Sequence, residues 1–321
     1  MTSQESPAGA RRRVRLALRE ARERLGFTQA QVAEEMEWST SKVIRIESGE
    51  VTISPNDLRP LLAYLKITEK DEVDRHLQDA RISRRRQMWW DEPTVRNHLT
   101  GPSRQLIQYE HESTAIRHFT SFIIPGPLQT PAYARATLNG HIGELADEDI
   151  EVRLQTRMRR RTELFARRDF PQILLLLDES VLKRRAGDAR TTGEQLLDLL
   201  RVARERPEIL VRVLPYTADA PLPMFGQYDI LTLPGDRPGE NAVLYRESYL
   251  NDELVEDPWN ISRHREIFDK YWEASLNEPA SAGLITESAA DLLDSAPPAA
   301  TPPAGASRTS APSRPRRRRT S

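Results

Sequence analysis

The chain has 321 residues, and its 38% apolar content is enough to fill the cores of one large and one small domain. Its 47 Lys and Arg residues nearly balance 48 Asp and Glu residues, so the overall charge of -1 does not indicate a nucleic-acid partner. The absence of cysteine excludes disulfides, thiolate catalysis and cysteine-ligated zinc. The longest apolar run, Ile173 to Leu177, is too short to span a bilayer, and the N-terminus has no apolar signal core. We therefore expect a cytoplasmic protein without a membrane partner.

The N-terminal part of the chain is predicted to form a small all-α domain over residues 11–68. Residues 1–10 are small and polar and are expected to be disordered. Apolar residues then recur at helical spacing among arginines from Val14 to Leu25. Three further short helices are predicted, over Gln29 to Met36, Thr40 to Ser48 and about Pro55 to Leu65. A charged helical linker is expected over residues 69–102, ending in a stretch interrupted by proline and glycine.

Residues 103–288 mix helical and strand-like patterns, which predicts a larger α+β domain. Helical periodicity covers Ser103 to Phe119, Ala132 to Asn139, Asp147 to Arg168, Thr191 to Arg206 and Ser262 to Leu276. Strand-like runs cover Gln172 to Leu177, Ile209 to Leu214, Tyr228 to Leu233 and Ala242 to Arg246. Residues 289–321 are rich in proline, alanine and arginine, and this tail is expected to be disordered because it has too few large apolar residues to offset its ordering entropy.

The segment from Thr28 to Gly49 has the pattern of a helix-turn-helix. Thr28 and Ser39 are suited to cap its two helices, and Ala33 is small where two steeply crossing helices bring their backbones together. Apolar contacts between the two helices are expected from Val32, Met36, Val43 and Ile46. The N-terminus of the second helix is thereby free to enter a DNA major groove.

This segment resembles the XRE or lambda-repressor-like family of transcription regulators. The matching residues are Gln29, Ala33, Ser39, Ile46, Glu47 and Gly49. The resemblance implies double-stranded DNA as a partner. The residues it assigns to the DNA contact are Gln29 on the phosphate backbone, Ser39 at the helix cap, Thr40, Ser41 and Arg45 at base edges, and Lys42 near base or phosphate. It also implies a structural ion pair between Arg22 and Glu47. Arginine at position 45 suits bidentate recognition of guanine on chemical grounds as well.

Two residues depart from the family pattern. Glu37 stands at the turn where glycine is common, and a left-handed backbone there costs about 1 kcal/mol without glycine. Ile44 replaces a small polar residue and is expected to touch a thymine methyl, the phosphate backbone or a partner. An alternative for the whole motif is a helical domain that makes protein contacts only.

Arginines precede the predicted first helix at positions 11, 12, 13 and 15. They fit two interpretations, an extended phosphate footprint or a solvated charged arm. The sequence alone does not decide between them.

No motif of known catalytic chemistry is present in the second domain. The chain has no glycine-rich phosphate loop, no HExxH zinc motif and no GxSxG nucleophile turn. Glu110 and Glu112 flank His111 but point in different directions on a helix, which makes a poor metal site. Asp178 and Glu179 follow a buried strand and are the most catalytic-looking carboxylates, although helix capping explains them more simply. We expect no enzyme activity, catalytic residue, metal or cofactor.

Residues from about Trp90 to Leu284 resemble the uncharacterised C-terminal domain found on many XRE regulators of mycelial, antibiotic-producing bacteria. The most recognisable stretch runs from Pro125 to Thr130 and continues with Tyr133, Ala134 and Arg135. Further matching positions are Arg157, Arg160, Glu179, Leu182, Gly187, Gln195, Leu196, Val213, Leu214, Pro215, Tyr245 and Glu247. A histidine usual in that family after the Val-Leu-Pro strand is missing here. The resemblance implies control of development or secondary metabolism, often with a small partner protein encoded nearby.

The first hypothesis is a sequence-specific DNA-binding transcription regulator, expected to be a homodimer, whose C-terminal domain receives a protein or small-molecule signal. The second is a toxin-like or enzymatic effector whose helix-turn-helix regulates its own gene. The third is an interaction scaffold that no longer binds DNA. The missing catalytic motifs favour the first over the second, and Gln29, Lys42 and Arg45 favour it over the third.

Overall fold

A computed structural model describes residues 7–84, 88–140, 146–220, 226–234, 241–247 and 252–296. Five helices come first in the chain. They are α1 (Pro7–Arg24), α2 (Gln29–Glu35), α3 (Thr40–Glu47), α4 (Pro55–Tyr64) and α5 (Lys70–Ser83). Together they form the helical N-terminal domain that the sequence predicts.

Local side-chain caps start the three short helices of this domain. The hydroxyls of Thr28, Ser39 and Ser54 each accept a backbone N–H from the first turn of α2, α3 and α4. The apolar faces of all five helices then share one core. Its most buried members include Leu18, Leu58, Leu62, Leu65 and Leu77.

The prediction that residues 1–10 are disordered is wrong for residues 7–10, which form the first turn of α1. Ala8, Gly9 and Ala10 are buried, and the backbone N–H of Gly9 donates to Glu112 Oε1 at 3.0 Å. Small residues lower the apparent apolarity of the sequence here, yet they allow the helix to approach the second domain closely. Residues 1–6 lie outside the described residues.

The predicted linker over residues 69–102 is also wrong in its first part. Helix α5 packs along α1 and α4, and its Leu77 and Ala80 belong to the N-terminal core. The Arg13 guanidinium of α1 forms an ion pair with Asp79 of α5. Helix α5 is therefore part of the N-terminal domain, because its one apolar stripe is covered by two neighbouring helices.

The second domain contains a single turn of 3₁₀ helix at Trp89–Asp91 and another at Gly126–Leu128. Its α-helices among the described residues are α6 (Pro93–Arg96), α7 (Gly101–Glu112), α8 (Pro131–Asn139), α9 (Asp147–Phe165), α10 (Ser180–Lys183), α11 (Ala189–Glu205), α12 (Pro258–Ala274) and α13 (Glu278–Asp294). Its strands are β1 (Ala115–Thr120), β2 (Gln172–Asp178), β3 (Ile209–Leu214), β4 (Tyr228–Thr232), β5 (Ala242–Arg246) and β6 (Glu253–Val255).

The six strands form one mixed sheet in the order β3-β2-β1-β4-β5-β6. Strands β1, β2 and β3 are parallel, whereas β4, β5 and β6 continue the sheet in antiparallel pairs. Helices α11 and α13 cover one face of β2 and β3, and α12 covers the opposite face. Leu175, Leu176 and Leu177 are fully buried because helices cover both faces of the sheet. This architecture confirms the predicted α+β class.

Several elements differ from the prediction. The predicted helix from Ser103 to Phe119 ends at Glu112, and its last residues form β1 between two other strands. Strand β6 was not predicted, and neither was helix α13. Because α13 extends to Asp294 and buries Ala289 and Leu292, the predicted tail over residues 289–321 begins too early. Residues 297–321 lie outside the described residues.

Candidate functional site

The exposed end of α3 carries the residues that the family resemblance assigns to DNA. Ser39 Oγ accepts the backbone N–H of Lys42 at 3.2 Å and thereby fixes the first turn. Thr40 and Ser41, which carry short hydroxyl side chains, are both exposed to solvent. The Arg45 side chain is 56% exposed, and its Nε lies 3.7 Å from a carboxylate oxygen of Glu50. An ion pair this exposed contributes little stability, so the Arg45 guanidinium is available to a ligand.

Lys42 is more constrained than the sequence suggests. Its ammonium lies 3.3 Å from Asp57 Oδ2 and 3.7 Å from the centroid of the Trp38 ring. Contact with a phosphate requires Lys42 to exchange part of this arrangement for the new partner. Its predicted role near base or phosphate therefore carries a larger energetic cost than the release of Arg45 from its one exposed partner, Glu50.

The buried carboxylate of Glu47 holds α1, α2 and α3 together. Arg22 donates to it twice, from Nε at 2.6 Å and from Nη2 at 3.0 Å. The side-chain amide of Gln29 donates to the same carboxylate at 2.7 Å. The hydrogen bond that Arg22 donates to Glu47 raises the pKa of Arg22. The Gln29 side chain thus belongs to the scaffold in the unbound protein, although it was predicted to contact the phosphate backbone.

The turn between α2 and α3 has the backbone that glycine usually supplies. Glu37 has a φ of 55°, in the left-handed region. The Trp38 backbone N–H donates to the carbonyl of Ala33 at 2.8 Å and closes the end of α2. Ile44, the other departure from the family pattern, is 44% exposed on the outer side of α3.

A second network joins α1 to the α+β domain. Glu256, which follows β6, accepts from Arg12 Nε at 2.9 Å and pairs with Arg15. Tyr109 Oη donates to the same carboxylate at 3.4 Å. Burial raises the pKa of Tyr109 to about 12. The two arginine side chains are only 6% and 7% exposed, so neither interpretation of the arginine run from the sequence is right for Arg12 and Arg15.

Helix α1 also contacts the end of α3. Arg15 Nη1 lies 3.4 Å from the carbonyl oxygen of Glu47, and Arg11 Nη1 donates to the carbonyl of Gly49 at 3.3 Å. A Cβ atom on Gly49 would lie 2.9 Å from Arg15 Nε. One helix therefore connects the carboxyl end of α3 with Glu256. In the sequence, the only sign of this contact was the spacing of the arginines along an amphipathic helix. Their partner, Glu256, is about 240 residues away in sequence.

The α+β domain contains a cavity of about 310 Å³ at the carboxyl end of β1, where β4 begins and β5 ends. The carboxyl ends of strands, at the point where the strand order changes direction, are common ligand sites in α/β proteins. One wall is the loop from Pro125 to Thr130, which the buried Gln195 holds by bonds to Leu128 and Thr130. Another wall is α9, which contributes Arg153, Arg157 and Arg160.

Carboxylates surround the same cavity. Glu110 accepts two hydrogen bonds from Arg160, at 3.0 and 2.6 Å, and Asp229 lies 2.6 Å from Nδ1 of His118. Glu247 and Asp252 also line the cavity. Of the matching positions in the second resemblance, Arg157, Arg160, Tyr245 and Glu247 all meet here. The chemical reasoning from the sequence overlooked this group, because its members lie on separate elements.

The other carboxylates considered from the sequence have structural partners. Asp178 accepts the backbone N–H of Ser180 at 2.9 Å, and Glu179 accepts that of Tyr216 at 2.9 Å. The half-buried His111 ring packs at a tilt against Trp90, with ring centroids 5.4 Å apart, and no group of three or more potential metal ligands occurs among the described residues. Within the described ranges, no helix combines the length and apolarity needed to cross a lipid bilayer.

The arrangement defines a two-domain protein with a helix-turn-helix, a class of domain that binds DNA, and a second α+β domain. A model described as a helix-turn-helix domain matches residues 14–75. A model described as a domain of unknown function, DUF5753, matches residues 103–287, and the chain belongs to that family. No curated protein and no solved structure matches the chain.

Proposed function

We propose that the protein is a sequence-specific transcription regulator of the XRE type. Helix α3 enters the major groove of double-stranded DNA, and two copies bind as a homodimer in the cytoplasm. The observation that carries the proposal is the solvent-facing group of Thr40, Ser41 and Arg45 on a capped helix. The buried network around Glu47 supports it, because a rigid scaffold positions these side chains before DNA arrives.

The α+β domain in this proposal receives a signal and has no catalytic activity. Helix α1 provides the physical connection, since it contacts Glu256 of the α+β domain and the carboxyl end of α3. A signal that binds the two states of this contact with different affinity changes the affinity for DNA. The signal is a small molecule or a small partner protein encoded nearby, and the regulated genes belong to development or secondary metabolism, as the family resemblance implies.

The test of DNA recognition is the substitution Arg45→Ala. DNA bound by the wild-type protein is recovered by immunoprecipitation from cells, and affinities for the enriched site are then measured by fluorescence anisotropy. We expect Arg45→Ala to lose about 1 to 3 kcal/mol and to relax the preference at one base position, because a bidentate base contact disappears.

The matched control is Arg263→Ala, which removes the same charge from an exposed position on α12. We expect its affinity and base preference to equal those of the wild type. Equal affinity of Arg45→Ala and the wild type, with both proteins folded, contradicts the proposed role of α3.

A further inference from the structure

Two arginines of α9 line the cavity and form no ion pair within the described part of the chain. Arg157 and Arg153 lie four residues apart on one helix face. Arg157 Nη1 donates to two neutral oxygens, Oε1 of Gln129 at 3.0 Å and Oγ1 of Thr137 at 2.8 Å. Arg153 Nε is buried and has no hydrogen-bond partner among the described residues. Burial lowers the pKa of Arg157 to about 10, which reflects the energetic cost of holding its charge there.

Neighbouring arginines on the same helix are matched. Arg160 makes a bidentate pair with Glu110, and Arg161 Nη2 lies 2.7 Å from Asp198 Oδ2. Arg160 and Arg161 therefore each have a carboxylate partner within the fold. Arg153 and Arg157 instead line the cavity, where an external anion has room to bind.

The lining of the cavity also includes the carboxylate of Glu247, which is exposed to solvent. Glu247 accepts a hydrogen bond from the Gln227 amide at 2.8 Å and makes no ion pair within the described part of the chain. Desolvation by the surrounding protein raises the pKa of Glu247, although the positive charge of Arg157 acts in the opposite direction. Charges of both signs thus line one cavity without forming an ion pair with each other, so a ligand that carries both an acidic group and a hydrogen-bond donor has a partner for each.

We propose that this cavity binds a small organic anion that also carries an amine or hydroxyl group. The carboxylate or phosphate of the ligand lies against Arg153 and Arg157, and the amine or hydroxyl donates to Glu247. Leu106, Phe119 and Ile124 contact its carbon skeleton. Bidentate arginine contacts are the strong, charge-assisted bonds expected for such an acidic group.

The same cavity lies next to the contact with α1. Asp252 lines its wall and accepts hydrogen bonds from Thr100 at 2.8 Å and Ser103 at 2.6 Å. Strand β6 leads from Asp252 directly to Glu256, the partner of Arg12 and Arg15. The role of the ligand as the regulatory signal rests on the proposed function, whereas its binding in the cavity does not.

The experiment measures the thermal unfolding midpoint of the full chain with defined probes at millimolar concentration. Glutamate and glucosamine 6-phosphate carry both an acidic and a donor group, and they distinguish a carboxylate ligand from a phosphate ligand. Glucosamine lacks the acidic group and serves as the matched probe. We expect glutamate or glucosamine 6-phosphate to raise the midpoint with increasing concentration, and glucosamine to leave it unchanged.

Three variants locate the response. Arg153→Met should raise the half-saturating concentration by about tenfold or more, because it removes a charged donor while breaking no internal hydrogen bond among the described residues. Glu247→Gln should weaken binding of the same probe as well. Arg159→Met removes an exposed arginine from the same helix outside the cavity and should respond like the wild type.

A flat response of the wild type to both acidic probes would overturn the proposed site, and so would an equal response of Arg153→Met. DNA affinity is measured separately on the same proteins, with and without the effective probe. Probe binding that leaves DNA affinity unchanged removes the regulatory role but keeps the site. Normal DNA binding without any probe response removes the site but keeps the proposed function.

Discussion

Glu112 shows how a single residue reports on the contact between the two domains. It lies where α7 meets the first turn of α1 and accepts the Gly9 backbone N–H at 3.0 Å. Burial raises its pKa from 4.5 to about 7. The hydrogen bond from Gly9 and the nearby arginines act in the opposite direction, but they do not cancel the effect of burial.

This raised pKa predicts a pH dependence of stability. The folded protein holds the Glu112 proton more tightly than the unfolded chain, so this stabilisation is complete below about pH 4.5 and is lost as pH rises to about 7. We expect the loss to reach up to about 3 kcal/mol in the free energy of unfolding. Urea unfolding at a series of pH values measures it.

In Glu112→Gln the loss between these pH values should disappear, because glutamine keeps an acceptor for Gly9 without a titrating group. Glu148→Gln changes an exposed carboxylate on α9 and should keep the pH dependence of the wild type. The same pH dependence in Glu112→Gln and the wild type rules out this origin.

The sequence indicated the role of an individual residue where its partner is close in sequence or where both belong to a recurring motif. Ser39 was recognisable because a cap needs only the next three residues of backbone. Glu47 was placed on the inward side of α3 by the family resemblance. The burial of Arg12 and Arg15 was missed because their partner, Glu256, becomes a neighbour only after both domains have folded.

Gly193 is the point of closest approach between α11 and α13. A Cβ atom there would lie 2.8 Å from Leu293 Cγ and 3.2 Å from the carbonyl oxygen of Ala289. The helices therefore pack with their backbones unusually near each other. Ser288 and Leu292 are buried along the same stretch of α13.

Gly193→Ala should destabilise the protein by about 1 to 3 kcal/mol, because the two helices must separate to accept one methyl group. Gly283→Ala is the matched substitution in α13, where the added Cβ meets no atom within 4 Å. It should stabilise by up to about 1 kcal/mol through helix propensity. Midpoints and slopes of urea unfolding curves for both variants measure this, and a Gly193→Ala protein as stable as the wild type contradicts the close approach.

The elements of the N-terminal domain were largely predictable because their caps and apolar periods are local. Strand β1 was not, since its residues continue a helical apolar pattern and become a strand only through pairing with β2 and β4. Helix α13 is rich in alanine and serine, and such a helix is recognised by the surface it covers rather than by its own pattern.

At the scale of the whole molecule, α1 belongs to both domains. Its first turns lie against α7 and Glu256, and its later turns form the core that carries α3. The sequence indicated a boundary between the domains near residue 102, whereas the 3₁₀ turn at Trp89–Asp91 and α6 already pack against α7 of the second domain. It did not indicate that α1 contacts Glu256 after the last strand, because a contact between residues so distant in sequence leaves no local pattern.

The measurement that tests the central claim most directly is site-directed crosslinking from α3 to DNA. The chain has no cysteine, so Ser41→Cys introduces a single thiol at an exposed position that accepts a photoreactive group. The matched probe is Ser262→Cys, which is exposed on α12. Both proteins are bound to the DNA site recovered with the wild type and then illuminated.

We predict crosslinks from Ser41→Cys to one or two neighbouring bases of the bound site, at the major-groove edge, and none from Ser262→Cys. A homodimer would give the same positions in each of two half-sites. Bound DNA without crosslinks from Ser41→Cys, or with the same pattern from Ser262→Cys, would contradict the assignment of α3 as the recognition helix.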